Sequence, residues 1–207
     1  MKTKLPILLF ALYLVEFAAL AIRPVSRATW VSENVTVLCI VVPLVWLHLK
    51  GVRFSNAAYL FMSVLIFLHT IGGHYTFANV PFDWFTRLIG AERNHFDRVA
   101  HFSVGFYAYA ILEFIESRRL STNRGFSLWF AISLIFAVAG VFEIVEWLYA
   151  ASASPTAGAE FLGSQGDVWD AQKDMLADGL GAILVAILYH LAHRGRFPAP
   201  VTAPRAP

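Results

Sequence analysis

The residues with the most chemical potential lie in Arg93–His101, which reads Arg-Asn-His-Phe-Asp-Arg-Val-Ala-His ahead of a long apolar run. Asp97 and His101 are four apart, so on a helix they share a face. Glu143 and Glu146, three apart, share another, and Asp170, Asp174 and Asp178 form a ladder at the four-residue spacing. Carboxylates joined by one imidazole suit Zn, Mn or Fe, and Mg less well. Asp97, His101, Glu143, Glu146, Asp170 and Asp174 are therefore candidate ligands of a divalent metal ion, which would activate water or polarise a phosphoryl or carbonyl oxygen. Arg93 and Arg98 offer the forked donors that hold an anionic head group. His74, after Gly72-Gly73, and His95 are candidates for a general base or a further ligand; the alternative is an interfacial histidine bonded to a backbone carbonyl.

Two other arrangements would satisfy the same acids. Arg93, Arg98 and Lys173 can neutralise the carboxylates directly, or some carboxyls can be protonated. The acids need one of these partners. A charged acid at mid-membrane costs about 2.5–3.5 kcal/mol, and several left unpaired would consume much of a folding stability of about 5–15 kcal/mol. Familiar signatures are missing. There is no EF-hand loop, no Glu-x-x-His of di-iron bundles, no His-Glu-x-x-His and no Gly-x-Ser-x-Gly.

The elements that must position these groups are membrane helices. Of the 207 residues, 58% are hydrophobic and 14% charged, against about a quarter charged in soluble domains. A chain this apolar has more greasy surface than one soluble core hides, so it is read as a membrane protein. The net charge of +2, with no basic cluster interleaved with aromatics, gives no sign of nucleic acid. The single cysteine, Cys39, excludes a disulfide within the chain and is expected to be a small buried hydrophobe.

A spanning helix needs roughly 20 mostly apolar residues. Six stretches approach that: Leu5–Ile22, Val35–Leu49, Ala57–Ile71, Val99–Ile115, Phe126–Tyr149 and Met175–Leu191. The expected fold is all-α, a polytopic bundle of about six transmembrane helices forming a single domain over residues 1–193. The tail 194–207 is proline-rich and expected to be disordered on the cytoplasmic side. The first stretch also has features of a signal peptide, but Glu16 and Ile22-Arg23-Pro24 favour a retained helix. Gly72-Gly73 is expected to break the third helix.

Lysine and arginine favour the cytoplasmic side. With six spans, ten of the sixteen basic residues fall on the side of both termini, which places the termini in the cytoplasm. Eleven of the fourteen acids fall in the opposite loops and helix ends. The fourth and sixth helices start there and the fifth ends there, so all three acidic groups reach similar depth. The outward face is the chemically rich one. Trp84, Trp147, Tyr149 and Trp169 would anchor helices at that interface, and Gly105, Gly140, Gly179 and Gly181 permit close packing of the helices that carry the acids.

On Gly72-Gly-His-Tyr75, Arg93-Asn-His-Phe-Asp-Arg98 with His101, Glu143-x-x-Glu146-Trp147 and Phe161-Leu-Gly-Ser-Gln-Gly-Asp167-x-x-Asp170-x-Gln172-x-Asp174, the chain resembles the YjdF-type bacterial inner-membrane proteins, a family with no established activity. A more distant similarity to VanZ-like proteins rests on Asp97-Arg98-x-x-His101, a glutamate pair and an acidic helix start followed by glycine; Glu146 and Asp178 depart from that pattern. The resemblance implies a multi-pass protein of the bacterial cytoplasmic membrane surrounded by membrane lipids. Three functions stay open. One is a hydrolase or transferase using a divalent metal (Zn, Mn, Fe or Mg) on a lipid-linked or envelope substrate. The second is a proton- or cation-coupled transporter, and the third a non-catalytic membrane protein whose ion pairs fix helix packing.

Overall fold

The computed structural model describes residues 4–153, 158, 162 and 164–194. The tail beyond Arg194, and Lys2, Glu160 and much of the Ala-, Ser- and Gly-rich stretch 151–166, whose composition predicts mobility, lie outside the described residues. Among the described residues all regular structure is helical: α1 (Leu5–Leu20), α2 (Arg27–Leu49), α3 (Asn56–Tyr75), α4 (Asp83–Leu88), α5 (Phe96–Val104), α6 (Tyr107–Ser117), α7 (Arg124–Ser152) and α8 (Asp170–Ala192). The all-α membrane architecture expected from composition is the one found. Four helices, α2, α3, α7 and α8, are long and apolar enough to cross a bilayer. The shorter apolar α1, and α5 continued by α6, bring the number of crossings to about six.

Local chemistry sets the helix starts. Ser26, Ser55 and Asn123 sit at the N-caps of α2, α3 and α7, where each side chain accepts a backbone N–H of the first turn, satisfying a donor the helix leaves open. Pro6 occupies the first turn of α1, where its missing N–H costs nothing.

Three expectations are corrected. α2 begins at Arg27 rather than Val35, because the Ser26 cap and the following Thr, Ser and Asn extend the helix past its apolar part. Gly72 and Gly73 do not break α3, which runs to Tyr75 and closes on Thr76 at φ 60°. They serve packing instead: a Cβ at Gly72 would overlap the Phe77 ring, and one at Gly73 would lie 2.9 Å from Glu33 Cβ. Cys39 is exposed on the bundle's outer surface, since that position of α2 faces away from α3.

The fourth expected span is two helices in line, α5 and α6, parted at Gly105-Phe106. Gly105 is where the chain comes closest to α8. A Cβ there would overlap the Ala182 backbone N, and one at Gly181 would overlap the Phe102 carbonyl. With no side chain between them the two backbones touch, as small residues allow between membrane helices. Ala58, Met62, Ala108, Leu112, Ala131, Ala182 and Val185 continue this close-packed core. Other large apolar side chains, such as Val141, Ile144 and Leu148 on α7, point outward. In a membrane that surface is solvated by lipid.

The ends of α1, α3 and α7 and the starts of α2, α5 and α8 lie together, joined by His74–Leu20, His69–Glu33, His101–Phe142 and Arg93–Asp170 contacts. This is the acidic end. At the opposite end Ser55 meets Glu113, Tyr189 meets Glu116, and Arg124 reaches the His190 carbonyl.

Candidate functional site

The site is built where α5 crosses α8, and the loop before α5 is fixed first. Asn94 donates to the carbonyls of Ala78 (3.1 Å) and Val80 (2.7 Å), and its Oδ1 accepts the Phe96 N–H at 2.9 Å. Gln165 pairs with the Asn94 backbone in both directions, at 3.1 and 3.0 Å. These bonds tie the segment before α8 to the segment before α5 and set the height of Arg93 and Asp167.

Above the crossing lies an ion-pair lattice. Arg93 Nη1 donates to Asp170 (2.7 Å), the Ser164 carbonyl (3.1 Å) and Asp167 (3.4 Å). Arg98 bridges Asp170 and Asp174 on successive turns of α8, and Lys173 donates to Asp167 at 2.6 Å. Lys173, the Trp169 N–H and Arg93 together hold the Asp167 carboxyl below its ordinary range. Burial, then the charges of Arg93, Arg98 and Lys173, hold the His95 imidazole below its ordinary range, so at neutral pH it is an uncharged ring. The lattice realises the direct neutralisation weighed for the sequence at Asp167, Asp170 and Asp174, and the Asp174 Oδ1 that accepts from Arg98 is the same oxygen that faces His101.

One turn deeper the arrangement changes. His101 Nδ1 lies 3.3 and 3.4 Å from the two oxygens of Asp178, while Nε2 faces Asp97 at 3.7 Å and Asp174 at 3.8 Å. The last two distances are too long for hydrogen bonds. The fully buried Asp178 thus faces Nδ1, and Nε2 is turned toward two carboxylates. The ligand atoms of Asp97, His101 and Asp174 all lie within 4.8 Å of one another.

This centre opens onto a cavity of about 100 Å³ lined by Asp97, His101, Asp178, Glu146, Glu33 and His69 together with apolar residues. Glu33 and His69 form a buried pair, Nε2 to Oε2 at 2.8 Å, between α2 and α3. Phe142 stands between the two imidazoles, 6.5 Å from the His69 ring and 6.3 Å from His101.

The expected site residues thus divide. Asp97, His101 and Asp174 converge. Asp170 is turned to Arg93 and Arg98 instead, one helical turn above. Glu146 lines the cavity without joining the cluster, and Glu143 Oε1 is buried with no hydrogen-bond partner among the described residues. Both Arg98 nitrogens that donate are occupied by aspartates, which corrects the expectation of a free fork there. Arg93 keeps Nε and Nη2 without partners among the described residues. His74 is away from the centre, its Nδ1 donating to the Leu20 carbonyl at 2.7 Å, as the alternative for that residue had it. Asp178 was seen in the ladder but not assigned to the centre, and Glu33 and His69 were not connected, since they are 36 residues apart and share no motif. Only the four-residue spacing of Asp174 and Asp178 hinted at the former.

A family model described as "Predicted membrane protein (DUF2238)" matches residues 5–195. The chain belongs to this family. The inner membrane protein YjdF of Escherichia coli (strain K12) is 32% identical over 181 residues, covering 83% of this chain and 84% of that protein. No solved structure matches. The resemblance to the YjdF-type proteins read from the motifs is borne out, and the protein is a multi-pass membrane protein with a relative in a bacterial inner membrane.

Proposed function

We propose that this chain is a membrane-embedded, divalent-cation-dependent hydrolase or transferase acting on a lipid-linked or cell-envelope substrate. Asp97, His101 and Asp174 hold the cation. The observation that carries the reading is the separation of the three donors. Two ligands each about 2.0–2.2 Å from one ion sit at most about 4.4 Å apart, and His101 Nε2 lies inside that limit from both carboxylates. Asp178 supports it by fixing the imidazole tautomer, the role a carboxylate plays behind a metal-bound histidine. The bound ion supplies Lewis acidity to a phosphoryl or carbonyl oxygen. Around it, Arg93 offers an anionic group its buried, unpaired Nε–Nη2 edge, Arg98 locks Asp174 in place, Glu146 exchanges protons from the cavity wall, and His95 does so from the ion-pair lattice above.

In this reading the chain is one transmembrane domain with both termini cytoplasmic, and the acidic end faces outward. Transport fits less well. The two acids at the opposite end are engaged by Ser55 and Tyr189, and apolar Leu65, Val104 and Ala139 line the cavity on the side toward that end.

Elemental analysis of detergent-purified protein tests the proposal. Wild type and Glu143→Gln should carry about one divalent cation per chain, and His101→Ala and Asp174→Asn should carry none. Wild type without stoichiometric cation, and with an unfolding temperature unmoved by chelator, sinks it.

A further inference from the structure

A second cavity lies on the other side of α3 and owes nothing to the acidic centre. α1 and α2 both pack on α3 and converge at the acidic end, where the Phe17 and Trp30 rings are 5.1 Å apart. Toward the opposite end they diverge around a groove of about 280 Å³. Its walls are almost wholly apolar, Phe10, Leu44, Val45 and Phe67 among them. Two features make it more than a gap between helices.

The first is Tyr13, which lines the groove. The residue is 4% exposed, and its hydroxyl has no hydrogen-bond partner among the described residues. A buried hydroxyl without an acceptor is destabilising, so the groove presents a donor waiting for an oxygen. Side chains on a helix lean toward its N-terminus, which lifts this hydroxyl from the level of Tyr13 toward the mouth at Pro6.

The second is the charge at that mouth. His48 and Leu49 close the α2 side, and Lys50 and Arg53 follow, both exposed. Lys4 caps the start of α1. Of the acids nearby, Glu113 is engaged by the Ser55 N–H and hydroxyl, each at 2.6 Å, and Glu16 lies one turn beyond Tyr13 on the side away from the mouth, its Oε2 buried without a partner among the described residues. The mouth is cationic, the shaft apolar, and a lone donor sits between.

We propose that this groove binds one anionic glycerophospholipid. One acyl chain fills the space between α1 and α2, its ester carbonyl accepts from the Tyr13 hydroxyl, and its phosphate sits among Lys4, Lys50 and Arg53. Basic pockets between membrane helices take phosphorylated head groups in this way. The site stands apart from the cation centre, and α1 needs the lipid to complete its packing against α2.

The test is native mass spectrometry of the full chain released from micelles doped with lipids of matched acyl chains. Wild type should retain one phosphatidylglycerol per chain in preference to phosphatidylcholine. Lys50→Gln with Arg53→Gln should lower that preference about fivefold for each charge removed, leaving chain binding intact. Ser63→Leu, which fills the groove from α3, should abolish retention of both lipids. Should that variant fail to fold, the ligand side gives the same answer. Ether-linked phosphatidylglycerol, lacking the acyl carbonyl, should bind wild type about threefold more weakly than the ester, and Tyr13→Phe should bind the two alike. Equal retention of phosphatidylglycerol and phosphatidylcholine by wild type, undiminished retention by folded Ser63→Leu, or indifference of wild type to the ester carbonyl overturns the proposal.

Discussion

The two ends of the bundle handle acidic side chains in opposite ways. At the end where α5 meets α8, Asp97, Asp167, Asp170, Asp174 and Asp178 face three permanent cations, Arg93, Arg98 and Lys173, and one imidazole. At the other end Glu113 takes a backbone N–H and a serine hydroxyl, and Glu116 a tyrosine hydroxyl. Neutral donors suffice for Glu113 and Glu116 because water is close. Buried carboxylates need charge, because an ion without a counter-ion in a low-dielectric interior costs far more than a pair returns. The acidic end also holds more carboxylates than permanent cations, and the surplus lies at His101.

The sharpest way to break this contrast is to remove a cation. Arg98→Ala leaves Asp170 and Asp174, with side chains 10% and 4% exposed, without their shared partner. Its cost should be about 3–5 kcal/mol, read as a large fall in unfolding temperature in detergent; a loss comparable to that of a surface pair would show that the lattice is wet. Next is the crossing itself. Gly105→Val forces α5 off the Ala182 backbone and should cost about 1–3 kcal/mol or more. Because His101 and Asp178 ride on the two helices that separate, it should also remove any cation wild type retains, which elemental analysis detects.

Smaller still is the effect at the neutral end. Ser55→Ala deletes the α3 cap and one Glu113 bond, at about 1 kcal/mol, with cation content unchanged. Cation loss in that variant would show the two ends to be coupled. The smallest effect is at the rim. Asp167 has its folded-state pKa below its unfolded value, so its contribution to stability is present above the unfolded value of about 3.9 and is lost as pH falls through the folded one. Unfolding temperature measured against pH should show this acid limb in wild type, and Lys173→Met should flatten it.

The sequence alone was enough for the membrane class, the number of crossings and the location of the acids. Apolar length has few solutions in lipid, and four-residue spacing on a helix forces Asp97 and His101, and Asp174 and Asp178, onto common faces. Periodicity could not say which partner each acid would choose. Asp170 and Asp174 are equivalent on the ladder, yet Asp170 is turned to Arg93 and Arg98 while Asp174 also faces His101, a division set by the contact of Gly105 with Gly181 that fixes the height of α5 against α8. Glu33 and His69 share no motif and meet only because Gly73 lets α2 close on α3. Spacing within a helix is a local property of the chain; register between helices is decided by where the backbones can touch.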